Sequence, residues 1–352
     1  MRAQSSAFVL HVHNFAPNAQ SQTFSTIIID LENWPLTRKG LIQMAQIFFF
    51  VLFTLIGVFA TSWQAEAENN QVWQPSGGIQ QIPIWPHEAP DMETISLPPE
   101  SLKPGKQTIL NVTHPTMTIY PPKGKNSGTA IVVFPGGGFR VLAMDLEGTE
   151  ICDWITGTGI TCILLKYRVP GSDDYWDPDC HCRVIPKIRR ALQDAQRTVR
   201  LVRVRSQALN VDPHKVGVIG FSSGGFLVAE ISNISKLNYV PVDEADKLSS
   251  HPDFAIAAYP GHMCYDSGQP RHLNFAITKA APPTFLVQAS DDDVDNPCNS
   301  KVYADGLKKA GVPTELHIFD KGGHAFALRK PDLPVGQWPN LAITWLKKIG
   351  ML

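Results

Sequence analysis

Runs of apolar, β-branched residues alternate along the chain with segments in which apolar residues recur every three or four positions. The first kind predicts strands at 117–120, 129–134, 160–167, 216–219, 254–259, 284–288 and 315–319. The second predicts helices near 147–156, over 188–208, from Ser223, and over 300–310 and 337–349. Alternation of this kind predicts an α/β fold, a mostly parallel central sheet with helices on both faces. In the 188–208 helix, Ala191, Ala195, Val199 and Val202 share one face, and the arginines read as the opposite, solvated one. Residues 69–104 are rich in Pro and Gly with isolated Trp73 and Trp85, which predicts an extended lead-in packed on the domain edge. The polar, Pro-interrupted stretch Val169 to Pro186 reads as a surface loop near the active face. No internal repeat is apparent.

One stretch breaks the pattern. Residues 41–60 (LIQMAQIFFFVLFTLIGVFA) are nearly all apolar, follow Arg38 and Lys39, and precede Ala65-Glu66-Ala67, a small-x-small cleavage pattern. The expectation is therefore an N-terminal segment, 1–67, carrying a signal peptide, and a catalytic domain over 68–352 that is secreted or periplasmic. The alternative is an uncleaved membrane anchor, since 20 apolar residues can span a bilayer. A polar stretch ahead of the charged region suggests that translation starts at Met44.

Composition narrows the function. Of 352 residues, 43% are hydrophobic and 18% charged, enough for a sizeable core, and the formal net charge of −1 gives nucleic-acid binding no electrostatic support. Six cysteines (Cys152, Cys162, Cys180, Cys182, Cys264, Cys298) in an exported chain predict disulfides, expected in loops, with the pairing open. Cys180-His181-Cys182 lacks a second Cys/His pair at zinc spacing, so neither a metal nor a cofactor is expected.

The chemistry is concentrated at four places. Gly220-Phe221-Ser222-Ser223-Gly224 fits Gly-x-Ser-x-Gly between a strand and a helix, the setting of a nucleophile elbow. Positions two before and two after the nucleophile must be small, which selects Ser222 over Ser223, because Phe221 would crowd the latter. Upstream, Pro135-Gly136-Gly137-Gly138 ends a strand and resembles loops whose amides bind a developing oxyanion; Gly137, Gly138 and the amide of Ser223 are the candidate donors. A serine needs a base, and Gly322-Gly323-His324 follows the last strand. His181, which precedes the serine, His317, inside a strand, and His262 are competitors, and the chain order Ser, Asp, His favours His324. For the orienting acid, Asp291, Asp292, Asp293 and Asp295 stand together after the 284–288 strand, and most must be solvated.

With these motifs the chain resembles bacterial esterases of the α/β-hydrolase superfamily related to acetylxylan esterases and bifunctional acetylxylan/feruloyl esterases. The resemblance runs from Ile82 to Leu346 through Ile84-Trp85-Pro86, Val132 to Phe139 followed by Glu147-Gly148, Lys166 to Pro170, Asp194 to Arg197, Gly220 to Gly225, Pro282 to Phe285 and Gly322 to His324. It implies the α/β-hydrolase fold and places the acid at Asp292, third after the small Ala289, with Asp291 and Asp293 as fallbacks. Relatives commonly carry a Val- and Pro-containing turn after this acid, whereas this chain has Asp293-Val294-Asp295-Asn296-Pro297-Cys298. The expected activity is hydrolysis of acetyl or feruloyl esters on plant-wall polysaccharide such as xylan. The alternatives are a general carboxylesterase, a peptidase of the prolyl-oligopeptidase kind, whose usual propeller has no room here, and a non-catalytic binding protein on the same fold.

Overall fold

The computed structural model describes residues 72–92, 97–103, 107–170 and 190–352, together with the backbone of short strands at 8–13, 24–29, 175–177 and 182–184. The apolar 41–60 segment, Ala65 to Ala67, Cys180 and His181 lie outside the described residues. Two compact units are present, Met1–Glu68 and Asn69–Leu352. In the first, Phe8–His13 pairs antiparallel with Phe24–Ile29. Among the described residues no helix is long and apolar enough to cross a membrane.

The second unit is built on an eight-stranded sheet. In chain order its strands are β1 (Gln81–Pro83), β2 (Thr116–Tyr120), β3 (Ala130–Phe134), β4 (Thr161–Lys166), β5 (Val216–Phe221), β6 (Ala255–Ala258), β7 (Thr284–Ala289) and β8 (Thr314–Phe319). They lie side by side as β8-β7-β6-β5-β3-β4-β2-β1. From β4 to β8 every pairing is parallel, and β2 and β1 close one edge antiparallel. Strands β3, β5, β6 and β7 are buried along their whole length, as parallel strands covered on both faces must be. The helices are α1 (Glu150–Gly157), α2 (Arg190–Val204), α3 (Ser223–Asn233), α4 (Cys298–Lys309) and α5 (Trp338–Lys348).

Two expectations are corrected. Helix α2 stops at Val204, and a separate turn follows at Ser206–Leu209. More important, its arginines do not form a solvated face: Arg190, Arg197 and Arg200 are buried with the apolar side chains. Their partners are remote in sequence and so invisible to helical periodicity. Arg197 donates to the Ile84 carbonyl at 2.9 Å and pairs with Asp243 and Asp246, while Arg200 donates to the Leu248 carbonyl. Asp194 of the same helix accepts from Trp85 Nε1 at 2.8 Å and pairs with Arg168 at 2.9 Å, both partners fully buried. The lead-in is thus bolted to α2 through Trp85. The second correction concerns the disulfides expected in loops: among the described residues one ties regular elements, Cys152 of α1 to Cys162 of β4, while the other joins the loop residue Cys264 to Cys298 at the start of α4.

Candidate functional site

Strand β5 ends at Phe221 and α3 begins at Ser223, so Ser222 occupies the turn between them with φ 52° and ψ −121°. Such a backbone is strained for any residue with a Cβ. Close packing enforces the small neighbours: a Cβ on Gly220 would stand 2.1 Å from the Gly224 carbonyl oxygen, and one on Gly224 2.1 Å from that of Phe134. The turn holds the Ser222 hydroxyl against a cavity of about 420 Å³ whose lining includes Gly137, Gly138, Glu147, His262, Asp295 and His324.

His324 Nε2 lies 3.1 Å from Ser222 Oγ, and its Nδ1 lies 2.9 Å from Asp292 Oδ2. The chain therefore brings together the three residues that motif and resemblance single out. Asp292 is buried and fully engaged, accepting from the amides of Val294 and Asp295 and from Gln288 Nε2. Burial alone would make the His324 imidazole less basic, but the Asp292 hydrogen bond and the charges of Asp292, Asp295 and Glu147 outweigh it and raise its pKa above 6.5. The other histidines stand as follows: His317 is in β8 beside Glu315, and His262 lines the cavity between the rings of Phe139 and Phe226.

The glycine loop after β3 folds back on itself, with the Gly137 carbonyl accepting from the amides of Arg140 and Val141. Gly137 has φ 134°, and a Cβ there would meet the Val141 carbonyl oxygen at 2.2 Å, so only glycine fits. Among the described residues the amides of Gly137, Gly138 and Ser223 have no protein acceptor, and Ser223 heads α3, at the positive end of its dipole. Two supports hold this loop. Ser223 Oγ accepts from the Phe139 amide at 3.3 Å, so its hydroxyl has a role beyond its own backbone. Buried Glu147 accepts from the Gly136 amide and from the Tyr259 hydroxyl, both at 2.8 Å. Burial pushes the Glu147 carboxyl upward, and the Tyr259 ring stands edge-on to His324.

Within the acidic run Asp291 and Asp293 are exposed, as expected of solvated carboxylates, Asp295 is partly buried and Asp292 is buried. Asp291 accepts from the amides of Gly322 and Gly323, each at 2.8 Å, and so pins the loop that carries His324; those amide bonds hold its pKa low. Asp295 accepts from Ser222 Oγ at 3.1 Å and lies 3.8 Å from His324 Nε2. Sequence reasoning offered Asp295 only as one of four candidates for the orienting acid and did not place it at the serine; the available signal was its spacing, since three residues after Asp292, in a turn closed on the Asp292 carboxylate, it faces the same site. Among the described residues no cluster of His, Cys, Asp and Glu is placed to hold a metal ion.

A predominantly parallel sheet of this strand order, with a strained serine after its fifth strand and a histidine after its eighth, defines an α/β hydrolase with a serine–histidine–carboxylate constellation. The chain belongs to the α/β-hydrolase superfamily and is similar within it to acetylxylan esterases. The sequence pattern of the prolyl oligopeptidase family matches residues 190–350, the part carrying Ser222, Asp292 and His324. A solved structure, an acetyl ester-xyloside bifunctional hydrolase from Caldicellulosiruptor lactoaceticus, is 30% identical with a TM-score of 0.62, over 79% of this chain and 100% of that one. An acetylxylan esterase of Xylanibacter ruminicola is 30% identical over 57% of this chain and 41% of its own length. Endo-1,4-beta-xylanase B of Butyrivibrio fibrisolvens is 23% identical over 56% of this chain and 32% of its own. The chain thus spans less than half the length of these curated relatives.

Proposed function

We propose that this protein is a serine esterase that removes acetyl groups from acetylated xylan. The observation that carries the reading is the relay from Asp292 through His324 to Ser222, set beside a loop of free amides. In it, Ser222 Oγ attacks the ester carbonyl carbon while His324 Nε2 takes the hydroxyl proton. The carbonyl oxygen becomes an anion facing the amides of Gly137, Gly138 and Ser223. Collapse breaks the bond to the alcohol oxygen, which leaves with the proton from His324, and the acyl group stays on Ser222. Water, deprotonated by His324, then attacks the acyl-enzyme, and acetate and free Ser222 result. Asp292 holds the imidazole with Nε2 toward the serine and stabilises the imidazolium. The xylan assignment is supported by the acetylxylan esterase and xylanase relatives. Feruloyl esters are the second acyl class on the same reading, and export through cleavage after Ala67 fits a polymeric substrate.

The prolyl oligopeptidase match favours one other reading, a peptidase using the same acyl-enzyme chemistry. Kinetics on acetylated xylan, methyl ferulate, a short aryl acetate and a proline-containing peptide amide separate these. Highest kcat/KM on the acetylated polysaccharide or its oligomers is expected. Peptide cleavage without acetate release would reverse the assignment.

A further inference from the structure

The Ser222 hydroxyl has one proton and two acceptors, His324 Nε2 and Asp295 Oδ2, each at 3.1 Å. Attack needs that proton on His324, which leaves the Asp295 carboxylate without a role in the relay. Yet its position is built. Its amide donates to Asp292 Oδ1 at 2.9 Å, its carbonyl accepts from Gln288 Nε2 at 3.1 Å, and its carboxylate packs so closely on Gly261 that a Cβ there would meet Oδ1 at 2.4 Å. The side chain is 18% exposed and faces the cavity, with His262 also on the lining.

The chemistry of the relay says which part of a substrate Asp295 meets. The ester's carbonyl oxygen becomes an anion and must lie toward the glycine-loop amides, away from a carboxylate. The alcohol oxygen must lie at His324 Nε2 to receive its proton, and Asp295 Oδ2 is 3.8 Å from that nitrogen. Asp295 therefore borders the leaving alcohol. Beside a bare alkoxy group a carboxylate repels the charge that develops as the bond breaks. A hydroxyl on the neighbouring carbon, gauche to the ester, places a donor there instead and turns repulsion into a charge-assisted hydrogen bond.

Resting on the esterase reading, we propose that Asp295 receives the hydroxyl vicinal to the scissile ester, so that the site is built for monoacylated 1,2-diols, such as a sugar ring with a free hydroxyl beside its acetyl group. The test crosses substrate with residue. Methyl xyloside 2-acetate is compared with its 3-deoxy analogue, and glycol monoacetate with propyl acetate, using the full chain and its Asp295→Ala and Asp295→Asn variants. In the unsubstituted protein, loss of the hydroxyl should lower kcat/KM by about 10- to 100-fold, the worth of one hydrogen bond to a charged group. Asp295→Ala should bring that ratio close to one, and Asp295→Asn, which keeps a neutral acceptor, should leave it in between. A hydroxyl preference that survives Asp295→Ala overturns the proposal, as does its absence in the unsubstituted protein. If the xylosides are refused but glycol monoacetate is preferred over propyl acetate in an Asp295-dependent way, the sugar assignment fails and the Asp295 assignment stands.

Discussion

Ser222 and Ser223 are adjacent and chemically alike, and backbone geometry separates them: one hydroxyl faces the cavity, the other is buried under the Phe139 amide. Ser222→Ala should abolish turnover of an aryl acetate, and Asp292→Asn should lower kcat by about 10⁴-fold, as expected for loss of the imidazole's orienting acid. Ser223→Ala should cost far less, since it keeps its own amide and loosens only that of Phe139. Asp293→Asn should leave kcat unchanged, because that side chain is solvated. Comparable losses in Asp292→Asn and Asp293→Asn would mean the register of the acid is wrong. The pH dependence follows from the charges around His324. The base must be neutral, so kcat/KM rises with pH through the imidazole pKa, which the site raises above 6.5. Asp295 is one of the charges that raise it, so Asp295→Asn should move the rising limb to lower pH on an aryl acetate. A limb that stays put or moves upward would contradict this electrostatic picture.

Among the elements, α2 departs most from its sequence pattern. Its arginine-rich side is buried because the lead-in and the 236–253 segment cover it with carbonyls and carboxylates, Ile84, Asp243, Asp246 and Leu248 among them. A buried charge tolerates this only when paired, and removing one partner strands the other. Asp194→Ala, which removes the carboxylate paired with buried Arg168 and the acceptor of the Trp85 N–H and the Arg168 amide, should therefore destabilise the fold by about 3 to 5 kcal/mol in urea unfolding. A loss below about 1 kcal/mol, the value of a surface pair, would show that water compensates the network.

For the molecule as a whole, the Cys264–Cys298 bond joins the cavity rim to the helix that follows the acid turn. Asn299 reinforces the joint by accepting from the amides of Met263 and Cys264, both at 2.7 Å. Replacing both cysteines by serine should lower unfolding free energy by about 2 to 4 kcal/mol. It should also raise KM more than it lowers kcat, because the tethered rim carries His262 and Arg271 rather than the relay. A fall confined to kcat, with KM fixed, would place the effect at the relay instead. Disulfides belong to oxidising compartments, which accords with the export proposed from the 41–60 segment.

The sheet was legible because parallel strands buried on both faces leave unbroken apolar runs, and β3, β5, β6 and β7 appear within a residue or two of their predicted bounds. The elbow and the glycine loop were legible because local sterics admit few residues there, as the contacts of Gly137, Gly220 and Gly224 make plain. What no local rule could supply was the partner of each charge. Arg197 finds Asp243, and Asp194 finds Arg168 and Trp85, across separations that periodicity does not sample. The acidic run reads as interchangeable carboxylates until the turn closes. Folding then sends Asp291 to the histidine loop, Asp292 to the imidazole and Asp295 to the serine, and leaves Asp293 in solvent. Charge is recorded residue by residue along a chain, but its energy depends on distance and burial, and those exist only once the chain has folded.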